Sequence, residues 1–163
     1  MSKYICKEAS TEDIDNFFKD KIKDNPNDTY FRREITIDRV VKGYAIVYYG
    51  MIDGKVISEC TAIINPAAKV NISDIVNEDT AYLMNIETNI NYRNKGYFTE
   101  LLNYVLSDLK EKGFTKVTLS VYSDSELNKK IYASKGFTES IKKTTTILPN
   151  GEKKISEYYG KQL

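Results

Sequence analysis

The sequence predicts a mixed α/β fold: one mixed sheet with helices on its faces, in the order β-α-α-β-β-β-α-β-α-β-β. Three observations carry this reading. Short runs rich in β-branched and aromatic residues recur along the chain, bounded by turn residues. Longer segments place apolar residues at helical spacing behind capping signals. The two kinds alternate rather than segregate, so helices have to cover a shared sheet. At 163 residues the chain is one ordinary domain, large enough to bury a core without disulfide or metal. No linker, internal repeat or low-complexity segment divides residues 1–163.

Each element has its own signal. Tyr4 to Glu8 is a short strand. Ser10 opens a capping box with Asp13, and Ile14, Phe17, Phe18 and Ile22 follow at helical spacing. Asn25-Pro26-Asn27-Asp28 ends that helix, and Tyr30 to Lys42, ambiguous between helix and strand, is read as a second helix. Tyr44 to Met51 and Lys55 to Ile64 are strands joined by the hairpin turn Asp53-Gly54. Asn65 to Asp79 is a polar loop, and Ala81 to Thr88 another strand. A helix from Lys95 to Lys112 gathers Phe98, Leu101, Leu102, Val105, Leu106 and Leu109 on one face, with Gly113 as its stop. Lys116 to Tyr122 is a strand. A shorter helix opens on a second capping box, Ser123 with Glu126, and ends at Gly136. Two closing strands, Phe137 to Leu148 and Lys153 to Gly160, flank Pro149-Asn150-Gly151.

Composition excludes several functions. Lys plus Arg number 24 against 23 Asp plus Glu, a net charge of +1, so no global field draws the protein to nucleic acid or to an anionic membrane. Histidine is absent, which removes every mechanism or metal site built on imidazole. Cys6 and Cys60 are too few for a structural zinc site, and no acidic cluster has calcium-loop spacing, so no metal is expected. Two cysteines read as free thiols of a reducing cytoplasm. The charged start lacks a signal-peptide apolar stretch, and the most apolar run, Tyr44 to Ile52, is far short of a membrane span. Arg32, Arg33 and Arg39 read as a solvated helix face. The pairs Lys142-Lys143 and Lys153-Lys154 read as protection of sheet edges.

The informative segment runs from Ile86 to Thr99. A strand ends, a polar turn carries Arg93, Lys95 and Gly96, and an amphipathic helix begins. The first amides of a helix lack internal partners and carry the positive end of its dipole. Two cations there disfavour the helix alone but suit an anion held between them, with Gly96 allowing close backbone approach. Solvated loop residues around a permissive glycine explain the same letters, and physics alone leaves these readings even. The segment is neither a Walker loop nor a dinucleotide fingerprint, since the glycines and the Gly-Lys-Ser/Thr ending are missing.

This turn resembles the coenzyme A-binding motif of the GCN5-related N-acetyltransferases, Gln/Arg-x-x-Gly-x-Gly/Ala between a strand and a helix. Ile131-Tyr132-Ala133-Ser134-Lys135-Gly136-Phe137 is similar to that family's second signature, and the order of elements matches over essentially the whole chain. The resemblance implies a central, mostly antiparallel twisted sheet and a single N-acetyltransferase domain. It implies acetyl-CoA as cosubstrate, its pantetheine arm bonded by the backbone of Ile86, Glu87 and Thr88. Its pyrophosphate would lie on the turn formed by Arg93, Asn94, Lys95, Gly96, Tyr97, Phe98 and Thr99. Phe98 departs from the motif's Gly or Ala. Its place on the apolar helix face lets the ring enter the core and leaves its N–H free. Ser125 stands where many members have an asparagine that bonds the cofactor, with Asn128 one turn on as a substitute.

The implied chemistry is acetyl transfer to a primary amine of a small molecule or peptide in a ternary complex; the alternative is a module that binds CoA or a peptide without turnover. The motif position of Tyr132 implies the acid that protonates the departing sulfur. An alkylammonium ionises at about 10.4, so the amine also needs a base or a desolvating pocket. Glu87, beside the pantetheine-binding backbone, is the nearest candidate base and Glu59 the next. Neither has a context arguing for burial, and strand alternation turns either toward solvent. The tyrosine-rich strand Tyr44 to Tyr49 is a candidate homodimer contact.

Overall fold

The computed structural model describes residues 2–22, 26–68, 72 and 74–163. In chain order the elements are β1 (Tyr4–Glu8), α1 (Thr11–Ile22), α2 (Pro26–Val41), β2 (Ala45–Ile52), β3 (Lys55–Ile63), β4 (Thr80–Thr88), α3 (Tyr97–Glu111), β5 (Lys116–Tyr122), α4 (Glu126–Ser134), β6 (Glu139–Ile147) and β7 (Lys153–Gln162). Short 3-10 turns occupy Pro66–Ala68 and Ile90–Tyr92. None of the described helices is long and apolar enough to cross a membrane.

Local chemistry explains most boundaries. The α1 capping box forms reciprocally: the Asp13 amide donates to Ser10 Oγ (3.1 Å) and the Ser10 amide to Asp13 Oδ2 (2.9 Å). Pro26-Asn27-Asp28 opens α2 rather than closing α1, because proline's fixed φ and missing N–H suit a first helical turn; Asn25 lies outside the described residues. Asp53 and Gly54, at φ 50° and 74°, make the left-handed turn that matches the twist of the β2–β3 hairpin. A second correction falls on α4, which starts at Glu126 with Ser125 as its N-cap. The Ser123 amide instead donates to the Ile155 carbonyl (2.9 Å), so the Ser123/Glu126 box does not form. β6 begins at Glu139 because the Phe137 amide is spent on the carbonyl of Tyr132 (3.1 Å) and its ring is buried.

Seven strands form one sheet in the order β1-β2-β3-β4-β5-β7-β6, and every pairing is antiparallel except β4 with β5. α3 packs on one face, where Leu101, Leu102, Val105 and Leu109 meet Tyr48, Ala62, Leu83, Val117, Leu119 and Phe137. Burying a side chain of that size contributes about 1.5–3 kcal/mol. The Tyr48 hydroxyl donates to Asp108 Oδ2 of α3 (2.6 Å), which fixes the helix against β2. α1 packs on the other face through Ile14 and Phe18, over Val47 and Tyr49.

The sheet order overturns two of three surface expectations. β2 lies inside the sheet with Tyr48 and Tyr49 buried, so Tyr44 to Tyr49 presents no strand for dimerisation. Lys142-Lys143 sits on the edge strand β6 as expected, and Lys153-Lys154 lies at the start of β7, paired with β6 but ahead of the β5 pairing, which begins at Ser156. The arginines of α2 turn inward: Arg33 Nε donates to Asp15 Oδ1 of α1 (2.7 Å), and Arg32 reaches Glu59 of β3 (3.9 Å).

α4 is tied to the sheet by charge. Lys129 Nζ donates to the Ser123 carbonyl (3.0 Å) and to Glu157 Oε2 of β7 (3.2 Å), while the Tyr159 hydroxyl donates to Glu157 Oε1 (2.9 Å). The neighbouring Ser123 hydroxyl, the Tyr159 hydroxyl and the Lys129 ammonium together hold the Glu157 carboxyl down at about 2. A depressed carboxyl contributes stability above its unfolded pKa of about 4.3 and loses it as pH falls toward the folded value. Urea unfolding of wild type should therefore weaken between roughly pH 5 and pH 2 by more than Glu157→Gln does. Parallel curves for the two proteins would show that this network does not couple to folding.

Candidate functional site

β4 and β5 share three rungs, Thr80–Lys116, Ala81–Val117 and Tyr82–Thr118, and then part although both strands continue. β4 is distorted over the same stretch: Asn85 and Ile86 stand against the single residue Cys60 of β3, with Asn85 at φ 52°. From Leu83 to Thr88 the β5-facing edge of β4 thus carries backbone groups with no strand to pair them. The mouth of this opening is bridged by Tyr82 Oη and Ser120 Oγ, 2.8 Å apart. Sequence reasoning missed both residues, since a tyrosine and a serine on alternating strands carry no signal until the strands are seen to separate.

The β4–α3 connection sits at the open end. Arg93 Nε donates to the Thr88 carbonyl (2.9 Å), and Lys95 Nζ lies 5.6 Å from the ring of Tyr92. Gly96 is the N-cap of α3 at φ 85°, and no side chain caps the helix. The amides of Tyr97, Phe98 and Thr99 are left at the positive end of the helix dipole. A Cβ on Gly96 would meet nothing within 4 Å, so glycine is required by its left-handed φ and not by packing. The Phe98 ring packs into the core 6.1 Å from the ring of Tyr132, as its place on the helix face predicts.

A tyrosine that the sequence did not flag fixes this turn. Tyr4 Oη donates to the Tyr97 carbonyl (3.1 Å) and lies 2.7 Å from Ser58 Oγ, while its ring stacks on Tyr97 at 4.4 Å. Gly50 of β2 makes the room, because a Cβ there would fall 1.9 Å from Tyr4 Oη.

Tyr132 of α4 lies between Phe98 and Phe137, with ring centroids at 6.1 and 6.3 Å. Burial, aided by Cys60 and Tyr82 nearby, pushes its hydroxyl up to about 12, so it stays protonated throughout the physiological range. Ser125 is half-buried with its hydroxyl unused in capping, and Asn128 is exposed one turn on.

Glu59 and Glu87 are direct cross-strand partners on β3 and β4. Glu87 is exposed at the open end of the strand, but Glu59 is only 6% exposed, contrary to its expected solvent position. α1 and α2 cover this face of β3, a fact that strand alternation cannot carry. Burial raises the Glu59 carboxyl above the ordinary range, against the pull of Lys21 and Arg32 and with the help of Glu87. Lys21 Nζ and Arg32 Nη2 stand 4.0 and 3.9 Å from Glu59 Oε1, beyond hydrogen-bonding distance. The rung is a wall between two cavities. One opens beneath Phe17 and Lys21 of α1 along Val56–Glu59, Glu87 and Asn89. The other, much smaller, lies on the α3 side between Cys60, Ile86, Thr88, Phe98 and Leu102. Among the described residues no group of three or more Cys, Asp or Glu side chains is gathered as metal ligands.

The fold is shared with known enzymes. A probable acetyltransferase from Staphylococcus epidermidis superposes with a TM-score of 0.70 at 16% identity, covering 98% of this chain and 99% of its own. Arabidopsis thaliana NAA60 in complex with acetyl-CoA gives 0.69 at 18% identity, covering 99% of both chains. The ribosomal-protein-S18-alanine N-acetyltransferase of Escherichia coli gives 0.71 at 15%, covering 98% of this chain and 94% of its own. These identities establish the fold alone, and no curated protein sequence matches this chain. The family assignment comes from the sequence itself: residues 8–137, which hold the parted strands, the uncapped turn and Tyr132, match the model of the Acetyltransferase (GNAT) family, and the chain belongs to that family.

Proposed function

We propose that residues 1–163 form one acetyl-CoA-dependent N-acetyltransferase domain acting on a primary amine of a small molecule or peptide. The observation that carries the reading is the parted β4–β5 pair, which leads from the uncapped N-terminus of α3 toward Tyr132. Residues along it fit the cosubstrate. The free edge of Ile86, Glu87 and Thr88 suits an amide-bearing arm. The amides from Asn94 to Thr99, with Lys95 and Arg93 beside them, suit a pyrophosphate. Ser125 and Asn128 supply further polar groups on α4. Acetyl-CoA, when bound, supplies an activated acetyl thioester.

The chain's own residues then handle protons. The Glu59–Glu87 rung receives the proton of the acceptor ammonium, a task suited to a carboxyl raised by burial. Tyr132 holds a proton for the departing sulfur. Cys60 is a poor nucleophile, because burial beside Glu59 keeps its thiol protonated, which favours direct transfer within a ternary complex. The free thiols Cys6 and Cys60 suit a cytoplasmic setting.

Three measurements test this reading. Gly96→Asp forces an unfavourable φ and puts a carboxylate in the anion site, so calorimetry should show CoA binding lost; Gly96→Asn, which tolerates left-handed φ, should retain much of it. Unchanged affinity in the folded Asp variant removes the site from this turn. Tyr132→Phe keeps the ring and removes the proton, so kcat should fall about 10²- to 10⁴-fold with little change in acetyl-CoA binding. CoA binding with no thiol release from any amine would instead identify a binding module.

The third measurement is a pH–rate profile. With Glu59 raised, kcat/KM should climb as that carboxyl loses its proton, at a pH below the titration of the amine itself. Glu59→Gln should remove the climb, leaving the titration of the amine alone. Glu87→Gln should move the climb to lower pH, because it removes the negative neighbour that helps raise Glu59. A climb unaltered in both variants excludes the rung as base.

A further inference from the structure

We infer that the acceptor amine carries a carboxylate on the same residue, as a free amino acid or the acidic first residue of a peptide does; this rests on the reading that the amine meets the Glu59–Glu87 rung. Glu59, Glu87 and Lys21 line the cleft beneath α1, Arg32 stands next to Glu59, and neither cation is within hydrogen-bonding distance of that carboxyl. Glu59 lines the cleft at 6% exposure, yet among the described residues neither of its oxygens accepts a hydrogen bond. Lys21 and Arg32 both approach Oε1, at 4.0 and 3.9 Å, and neither comes within hydrogen-bonding distance of it. A carboxylate buried to this degree calls for donors, and an ammonium brings three.

The cations are equally unspent. Lys21 Nζ rests 4.3 Å over the ring of Phe17, and the Arg32 guanidinium lies 5.5 Å from that of Phe18. Among the described residues neither donates a hydrogen bond. The next residue on α2 shows what a satisfied guanidinium looks like here, since Arg33 Nε is 2.7 Å from Asp15. Stacking on aromatic rings orients a cation without using its hydrogens. Arg32 therefore presents a planar fork, the shape that takes a carboxylate by two parallel hydrogen bonds.

A plain alkylamine would place its ammonium on Glu59 close to Lys21 and Arg32, and would bring no anion for either cation. An ammonium with its own carboxylate matches both sides, the cation on Glu59 and Glu87 and the anion on Arg32 and Lys21.

Calorimetric titration of the CoA-loaded protein with matched pairs tests this without requiring turnover. Glycine against glycinamide represents the free amino acid, and Asp-Ala-amide against Asn-Ala-amide the peptide. In at least one pair the acid should bind about tenfold tighter or more than its amide. The pair that shows it names the source. Arg32→Gln and Lys21→Gln should each shrink that ratio toward one while leaving CoA affinity unchanged. The kcat/KM ratio from thiol release should follow the binding ratio. Amides bound as tightly as acids in both pairs, or a ratio that survives both substitutions, overturns the inference. Release of CoA by simple amines with no acid preference overturns only the acceptor class; acid preference in binding with no release overturns only the acetyl-transfer reading.

Discussion

The parting of β4 from β5 after Tyr82 and Thr118 is the constraint on which the rest of this molecule depends. A sheet closes its interior by pairing every backbone group, and here one strand is released from its neighbour in mid-course. The release is paired with the distortion at Asn85 and Ile86, where β4 carries an extra residue against β3. A bulge bends its strand and increases local twist, which turns the end of β4 away from β5. The exposed edge then runs straight into the turn at Gly96, so unpaired strand amides and unpaired helix amides form one continuous polar track. Tyr4, pinned through the space left by Gly50, holds the far end of that track against β1 and β3.

The same sheet separates two environments. On the α3 side, apolar side chains and Tyr132 enclose the opening. On the α1 side, charged residues from two helices lean over β3. Glu59 and Glu87 stand at the boundary and border both cavities, because one rung of an antiparallel ladder sets its two residues side by side on one face. α4 needs its own tether, having no fully buried residue, and Lys129 with Glu157 supplies it one turn before Tyr132.

What was legible in the sequence was local. The order of strands and helices followed from periodicity, the first cap from Ser10 and Asp13, the hairpin from Asp53-Gly54, and the inward ring of Phe98 from its place on the α3 face. The misreadings share a cause: each depended on which element lies beside which. Pro26 was legible as punctuation, but whether it closes one helix or opens the next depends on packing. Ser123 looked like a cap because its competing partner, Ile155, is more than thirty residues away. Glu59 looked solvated because nothing in β3 reports that α1 and α2 lie over it. Tyr82 and Ser120 are joined only by the geometry of strands that separate. The Gly96 turn was visible because a glycine at a helix start is written in consecutive residues.

A chain without histidine has no group that ordinarily titrates near neutrality, so proton transfer at physiological pH depends on shifting groups that normally do not. Burial supplies the shift at both candidate positions, and in the same direction. Losing its proton creates a charge on a carboxyl and on a phenol alike, so desolvation raises Glu59 and Tyr132 together. For Glu59 the rise narrows the gap to an alkylammonium, which makes proton transfer between them less unfavourable. For Tyr132 it keeps the hydroxyl protonated at every physiological pH, while making it a weaker acid toward a thiolate, whose thiol ionises at about 8.5. Desolvation thereby raises both groups, one on each side of the sheet, and the two remain distinct because their ordinary values lie about six units apart. Water admitted at the rung would lower Glu59 first and weaken it as an acceptor. The cover that α1 and α2 place over β3 therefore raises the Glu59 carboxyl, and Lys21 and Arg32, the cations nearest it, oppose that rise.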